Sequence, residues 1–406
     1  MSAITANRQG LKVLITGSVL QLFLGIIYVW SEFVGPVGTW LDWDTAAVKL
    51  TSSFMLSFFV IGILTGGRLQ GRMGAHRVTL LGGLLLAAGM CAAAFVPAKT
   101  PWLLYGAYGV AGGFGVGMAY NAVISCAQKW FPRNRGFATG ISVCAFGFST
   151  VIFAPLVKWL LGSLGARAAF LLLSGTFLVA ALSLSGFIRL PAETGTPNAA
   201  SAALLAKKQY TTREILGTKE FYFIALSLML GTAAFFILNP SFKTLAAERG
   251  LTGGMATGLV MLTGVANALG RLGVPLLSDK IGRSRGALVT LAATGTCALA
   301  LCFVQSYAFM GAVALIAFCY GGFSGIYPVI TADYFGIRNV GSNYGAIMVG
   351  FALSALLFPM GIALIDSVTA KFVVLGVFAF AGAGLVLLLM GAGKREATPR
   401  PSATPL

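Results

Sequence analysis

The chain reads as an all-α integral membrane protein, with twelve transmembrane helices in two pseudo-symmetric six-helix bundles. Three observations predict this. The 406 residues are 57% hydrophobic and only 10% charged, whereas a soluble domain carries roughly 25% charge. Apolar runs of spanning length, about 20 residues at helical rise, recur along almost the whole chain. Lysine and arginine gather in alternate connections between those runs, as on the cytoplasmic side of a bilayer. The ten-residue alternation of an outer-membrane barrel is absent. Glycine and alanine are abundant instead, as in packed membrane helices.

Span one is placed at 11–35, where the apolar run continues through "IIYVWSEFVGP" without a small-residue cleavage site. It is therefore a first span and not a signal peptide. Spans two and three, at 46–67 and 78–97, are parted by the basic loop "GRMGAHR" (71–77). Spans four and five, at 102–127 and 137–160, flank "WFPRNRG" (130–136), and span six occupies 166–189. The stretch 190–219, containing "PAETGTPNAASAA", is long and polar enough to read as a linker. Spans seven to twelve follow at 220–243, 254–277, 286–306, 309–334, 343–365 and 369–392. Here the loops repeat. "DKIGRSR" (279–285) matches "GRMGAHR" without a gap, and "YFGIRNVG" (334–341) matches "WFPRNRG" with one extra residue. These matches predict two related bundles, 1–189 and 220–393, joined by the linker 190–219 and followed by a tail, 394–406.

The net charge of +17 suggests nucleic acid only until the charges are placed. They lie in short loops, with no basic face or arm of the kind a nucleic-acid reader needs. With both termini inside, twenty lysines and arginines fall in cytoplasmic segments and seven at outer ends, leaving Arg271 over. This bias predicts a multi-pass protein of the cell (inner) membrane with cytoplasmic termini. The six cysteines all sit within apolar runs, without metal-ligand spacing or a disulfide pattern. No clustered His, Cys or paired carboxylates mark chemistry, so neither an enzyme nor a cofactor is expected. GxxxG-like spacings such as "GVAGGFGVG" (109–117) suit packing within one chain, hence a monomeric unit.

The six-plus-six plan, with "RMGAHR" and "SDKIGR" after spans two and eight, resembles the major facilitator superfamily. Gly71 stands where an aspartate is common in the first of these loops, and the second keeps Asp279. More narrowly, "YVWSEFVGP", "KWFPRNRGFATGI" and "YFGIRNVGSNYGAI" resemble the oxalate/formate antiporter branch and its monocarboxylate transporter relatives. The resemblance covers the whole chain. It implies two bundles that rock about a central site to give alternating access.

Arg271, in "GVANALGRLGVPLL" (264–277), is the charge that needs explaining. An arginine near a helix centre costs about 2.5–3.5 kcal/mol even on the mild translocon scale. Snorkelling to the inner interface is one account. Against it, Asn267 and Gly264 lie one turn back on the same face and suit a wet, close-packed interior. The favoured reading has Arg271 facing a central cavity and receiving the carboxylate of a small organic anion, which its planar fork matches bidentately. The resemblance implies the same, since oxalate and monocarboxylate carriers have their anion-binding arginine in span eight. Those oxalate carriers add a lysine in span eleven, where this sequence has Phe351. A dianion would keep one charge unpaired there, so a monocarboxylate such as lactate, pyruvate or acetate is expected. Helical spacing adds Gln21, Gly25, Tyr28 and Glu32 of span one, Tyr120 and Asn121 of span four, and Tyr320, Phe323, Ser324 and Tyr327 of span ten. Each of these also has a plain packing role open to it.

A proton carried with a monocarboxylate would make transport electroneutral, and proton-coupled symport is the expected mode, with anion exchange as the alternative. Drug efflux suits a buried arginine less well. Animal monocarboxylate transporters resembling this chain have an aspartate one turn before the arginine; Asn267 stands there and cannot titrate. Glu32 is the one carboxylate inside a span that is a candidate for proton coupling. Asp333, at the inner end of span ten, is expected to pair with a loop arginine.

Overall fold

The computed structural model describes residues 3–191, 208–239, 242–251, 254–362 and 364–397, and among these all regular structure is helical. Eight helices are long and apolar enough to cross a membrane. Two of them hold two spans each: Thr45–Ala93 breaks at Gly74 (φ 81°) and Arg135–Leu184 breaks at Gly165 (φ 77°). Glycine enters this left-handed region without the Cβ clash that other residues meet. Gly254–Ile281 and Arg283–Ala300 complete the twelve spans. Gly282 (φ 95°) divides those two as Gly74 divides spans two and three, so the loop repeat extends to the backbone.

Helices run past several predicted span ends. Span eight reaches Ile281 and span ten covers Ser306–Phe335. Hydropathy marks where hydrocarbon stops, whereas a helix continues until its backbone is turned. Span one is not a uniform helix: Ala3–Leu24 leads into a 3-10 segment, Gly25–Val29, and then Trp30–Leu41. Span one is pressed against span five here, since a Cβ on Gly25 would collide with the Phe146 carbonyl and Ser149. Span four opens on a π-helical stretch, Tyr105–Gly112, before Gly113–Trp130. Span seven comprises Lys219–Leu238 and Phe242–Glu248.

Much of the predicted linker, 192–207, and the tail from 398 lie outside the described residues. The rest of the linker docks on the C-terminal bundle. Tyr210 donates its backbone N–H to the Phe335 carbonyl (3.0 Å) and receives Asn339 Nδ2 (2.9 Å) and Asn343 Nδ2 (3.0 Å). A short helix, Thr212–Ile215, comes next, closed by a capping box between Thr211 and Glu214.

The bundles meet along two seams, span five against span eight and span two against span eleven. Hydrogen bonds, ion pairs and cation–π contacts join the bundles at Arg271 and toward the end carrying the basic loops. That end is called the basic end below.

Candidate functional site

Arg271 is 2% exposed, among the largest fully enclosed side chains of the protein. Glycine makes room for it: a Cβ on Gly147 of span five would stand 2.9 Å from Arg271 Cδ. Arg271 Nε donates to Asn267 Oδ1 (2.9 Å), and Nη2 donates to the Tyr28 hydroxyl (3.2 Å). The guanidinium also lies over the rings of Tyr28 (5.4 Å) and Phe146 (5.8 Å). No carboxylate pairs with it among the described residues; the ion pairs there all lie at the basic end. Neutral oxygens and ring faces soften the desolvation of a cation, each ring by about 0.5–2 kcal/mol. They supply no counter-charge, which a buried ion needs to offset a penalty of several kcal/mol.

The space beside the guanidinium is walled by rings from both bundles. Tyr28, Phe59, Tyr120 and Phe146 come from the first, and Phe323, Tyr344 and Phe351 from the second, with Leu228, Ser324 and Met348. Edge-on contacts lock the N-terminal wall: Tyr120–Phe146 centroids are 4.8 Å apart, Phe59–Tyr120 5.3 Å and Tyr28–Phe146 5.4 Å. The cavity is about 10 Å³, room for about one water. Any guest must displace a ring, and a short one displaces least.

Of the predicted site residues, Arg271, Tyr28, Tyr120, Phe323 and Phe351 line this cavity, and Asn267 holds the arginine. Three belong elsewhere. Asn121 follows Tyr120 by one residue, a step that turns it off the cavity face. Its Nδ2 donates to the carbonyls of Ile63 and Gly341, both at 2.7 Å, which ties the seam between spans two and eleven. The Tyr327 hydroxyl donates to Ser227 Oγ (2.8 Å) inside the C-terminal bundle and does not reach the cavity. Glu32 is half-buried beyond the 3-10 segment, with neither hydrogen bond nor ion pair among the described residues. The stripe through Tyr28 and Glu32 assumed an unbroken helix. Five residues at 3.0 per turn instead of 3.6 rotate the rest of the span by about 100°.

Sequence spacing missed Phe59, Tyr344 and Met348. Tyr344, Met348 and Phe351 recur at helical spacing in span eleven, a stripe as readable as the one in span ten. Phe59 carries no polar mark that would single it out.

Below the pocket, the basic end is shut. On the five–eight seam Asp279 accepts the backbone N–H of Phe137 (2.9 Å) and Gly136 (3.2 Å) and pairs with Arg283. Asp333 pairs with Arg135, and also with Arg283 at 3.4 Å, the loop-arginine partners expected of it. On the two–eleven seam the backbones touch through glycine, since a Cβ on Gly67 would collide with Gly341.

The family model described as Major Facilitator Superfamily matches residues 13–359, and again 224–405. The oxalate:formate antiporter of Oxalobacter formigenes is 27% identical over 329 residues, covering 79% of this chain and 76% of that protein. Monocarboxylate transporter 13 of Bos taurus is 27% identical over 383 residues, covering 91% and 85%. The solved Escherichia coli fucose:proton symporter shares the fold at a TM-score of 0.66 and 12% identity, covering 93% of this chain and 98% of that one.

Proposed function

The chain belongs to the major facilitator superfamily of transporters, and from that premise we propose that it carries small monocarboxylates of the lactate and pyruvate type through the cell membrane by alternating access. One observation carries the reading: Arg271 is enclosed between the bundles with neutral partners and no carboxylate of its own. A monoanion supplies the missing charge, and the guanidinium fork gives it direction. The apolar ring of Phe351 and the small cavity favour one carboxylate with a short tail over a dianion. Transport by named relatives of oxalate, formate and monocarboxylates supports the same substrate class. The joined basic end corresponds to a carrier closed toward the cytoplasm, with the charge bias giving that orientation.

In this reading a proton accompanies the acid, making the cycle electroneutral. Asn267 cannot carry it and Glu32 stands off the site, so the proton is assigned to no side chain. A second reading, exchange of one anion for another, is favoured by that same Asn267: with no carboxylate partner, Arg271 is neutralised by substrate alone, which couples return of the carrier to a second anion.

Proteoliposomes test both. Labelled lactate and acetate are expected to enter and oxalate to be excluded, and Arg271→Lys, which keeps charge but loses the fork, is expected to lower uptake at least tenfold. Near-normal uptake by that variant would remove the arginine from the mechanism. Filling of empty vesicles under a pH gradient indicates symport; a need for internal substrate indicates exchange.

A further inference from the structure

A second cavity, of about 420 Å³, lies at the basic end, apart from the Arg271 pocket. It is bounded by Arg68 and Arg72 of span two, Thr211 and Thr212 of the linker, and Asn339 and Ser342 at the start of span eleven. Arg68 and Arg72 are one helical turn apart and exposed, and neither has a hydrogen bond, ion pair or ring contact among the described residues. The nearest acid of the linker helix is already engaged: Glu214 accepts from the Thr211 backbone (2.7 Å) and hydroxyl (2.8 Å).

The internal repeat shows what chemistry suits this place. Gly71 matches Asp279, and Gly341–Ser342 matches Gly136–Phe137. In the second copy, the Asp279 carboxylate bridges Arg283 and the backbone N–H groups of Gly136 and Phe137. In the first copy the side chain is gone, and a Cβ on Gly71 would meet nothing within 4 Å. Ala75 stands where the second copy has Arg283, so the first copy lacks both members of that ion pair, and Arg68 and Arg72 are the cations that border the neighbouring cavity.

We infer that this cavity binds a phosphate-bearing anion between Arg68, Arg72 and the Ser342 hydroxyl. Two guanidinium forks match a phosphate group, which carries about −1.5 to −2 charge as a monoester at neutral pH. A monocarboxylate would neutralise one fork and leave the other. The bound anion joins span two to the start of span eleven as Asp279 joins span eight to span five, and so holds the basic end closed. A free phosphate compound and an anionic lipid headgroup share this chemistry.

The test is thermal unfolding of the full-length protein in neutral detergent, titrated separately with inorganic phosphate and with phosphatidylglycerol. At least one of the two is expected to raise the midpoint by about 2 °C or more. The double variant Arg68→Gln/Arg72→Gln is expected to lose that response. Gly71→Asp, which builds the carboxylate into the chain, is expected to raise the midpoint without ligand and to blunt the response. A shift with phosphate identifies a soluble anion, and a shift with phosphatidylglycerol alone identifies a headgroup. No shift with either, or an undiminished shift in the double variant or in Gly71→Asp, would overturn the inference.

Discussion

The two seams between the bundles are related by the internal repeat, yet they are held by different chemistry. Both bring glycine against backbone: Gly136 against Pro275 on the five–eight seam, Gly67 against Gly341 on the two–eleven seam. Only the first adds ion pairs, with Asp279, Arg283, Asp333 and Arg135 in one network. The second is crossed by the Asn121 bond to the Gly341 carbonyl, and a bond inside the N-terminal bundle, from Ser125 to Gln70 Oε1 (2.6 Å), lies beside it. The comparison teaches that close backbone approach is the common requirement and charge an addition. A carrier must open one end to close the other, so a charged latch that water can replace on opening suits a moving seam. The glycine seam has no ion pair of this kind, and depends on close fit and the Asn121 bond.

The strongest way to break that comparison is steric. Gly67→Val places two methyl groups where the Gly341 backbone stands. Overpacking costs about 1–3 kcal/mol even where side chains can move aside, and a backbone contact yields less readily. The basic end is expected to close at least tenfold less often. Spin labels replacing Arg77 and Arg285, exposed on the two matching loops, would report the change as a longer distance between them in a background freed of native cysteines. An unchanged distance distribution would show that the glycine contact does not govern closure.

Charge should matter less and answer to salt. Asp279→Asn keeps one oxygen for the Gly136 and Phe137 amides but loses the pairing with Arg283, which still has Asp333. The network is not wholly buried, with the Asp279 side chain 14% and the Asp333 side chain 26% exposed. A loss of about 1–2 kcal/mol is expected, below the 3–5 kcal/mol of a fully buried pair. In 1 M salt, where screening acts over about 3 Å, the difference between Asp279→Asn and the parent should shrink, whereas the effect of Gly67→Val should not. Equal salt sensitivity in both variants would erase the distinction between the seams.

The same physics decides which features are legible in the sequence. Twelve spans, the repeat and Arg271 announce themselves through composition and through one charge out of place, because burial in lipid leaves a strong mark on sequence. Tyr120, Phe323 and Phe351 are readable from spacing within helices that stay regular, and Tyr28 reaches the cavity from inside the 3-10 segment. Glu32 does not hold its expected place, because the 3-10 segment Gly25–Val29 rotates everything after it. That segment lies where span one meets span five, with Gly25 close against Phe146 and Ser149. Asn121 turns to the seam instead of the cavity, which spacing does not foretell: polarity within a span marks a buried partner without saying whether that partner is a substrate or another helix. Tertiary neighbours decide both cases, and a single sequence holds no record of them.

Asn121 also supplies the finest test of the contrast. Its Nδ2 makes two short bonds, one within its own bundle to Ile63 and one across to Gly341, while its Oδ1 is buried without a partner. Asn121→Ala removes two bonds worth about 0.5–1.5 kcal/mol each but also removes an unsatisfied oxygen that costs about 1–3 kcal/mol. The two effects largely cancel, and the label distance should move little. Asn121→Asp is different in kind, because it sets carboxylate oxygens against two carbonyls and leaves no donor unless it stays protonated. It should open the two–eleven seam while substrate affinity at Arg271 changes little. If Asn121→Ala instead weakened lactate binding severalfold with the seam unmoved, this side chain would belong with the pocket, and the two–eleven seam would rest on glycine contact.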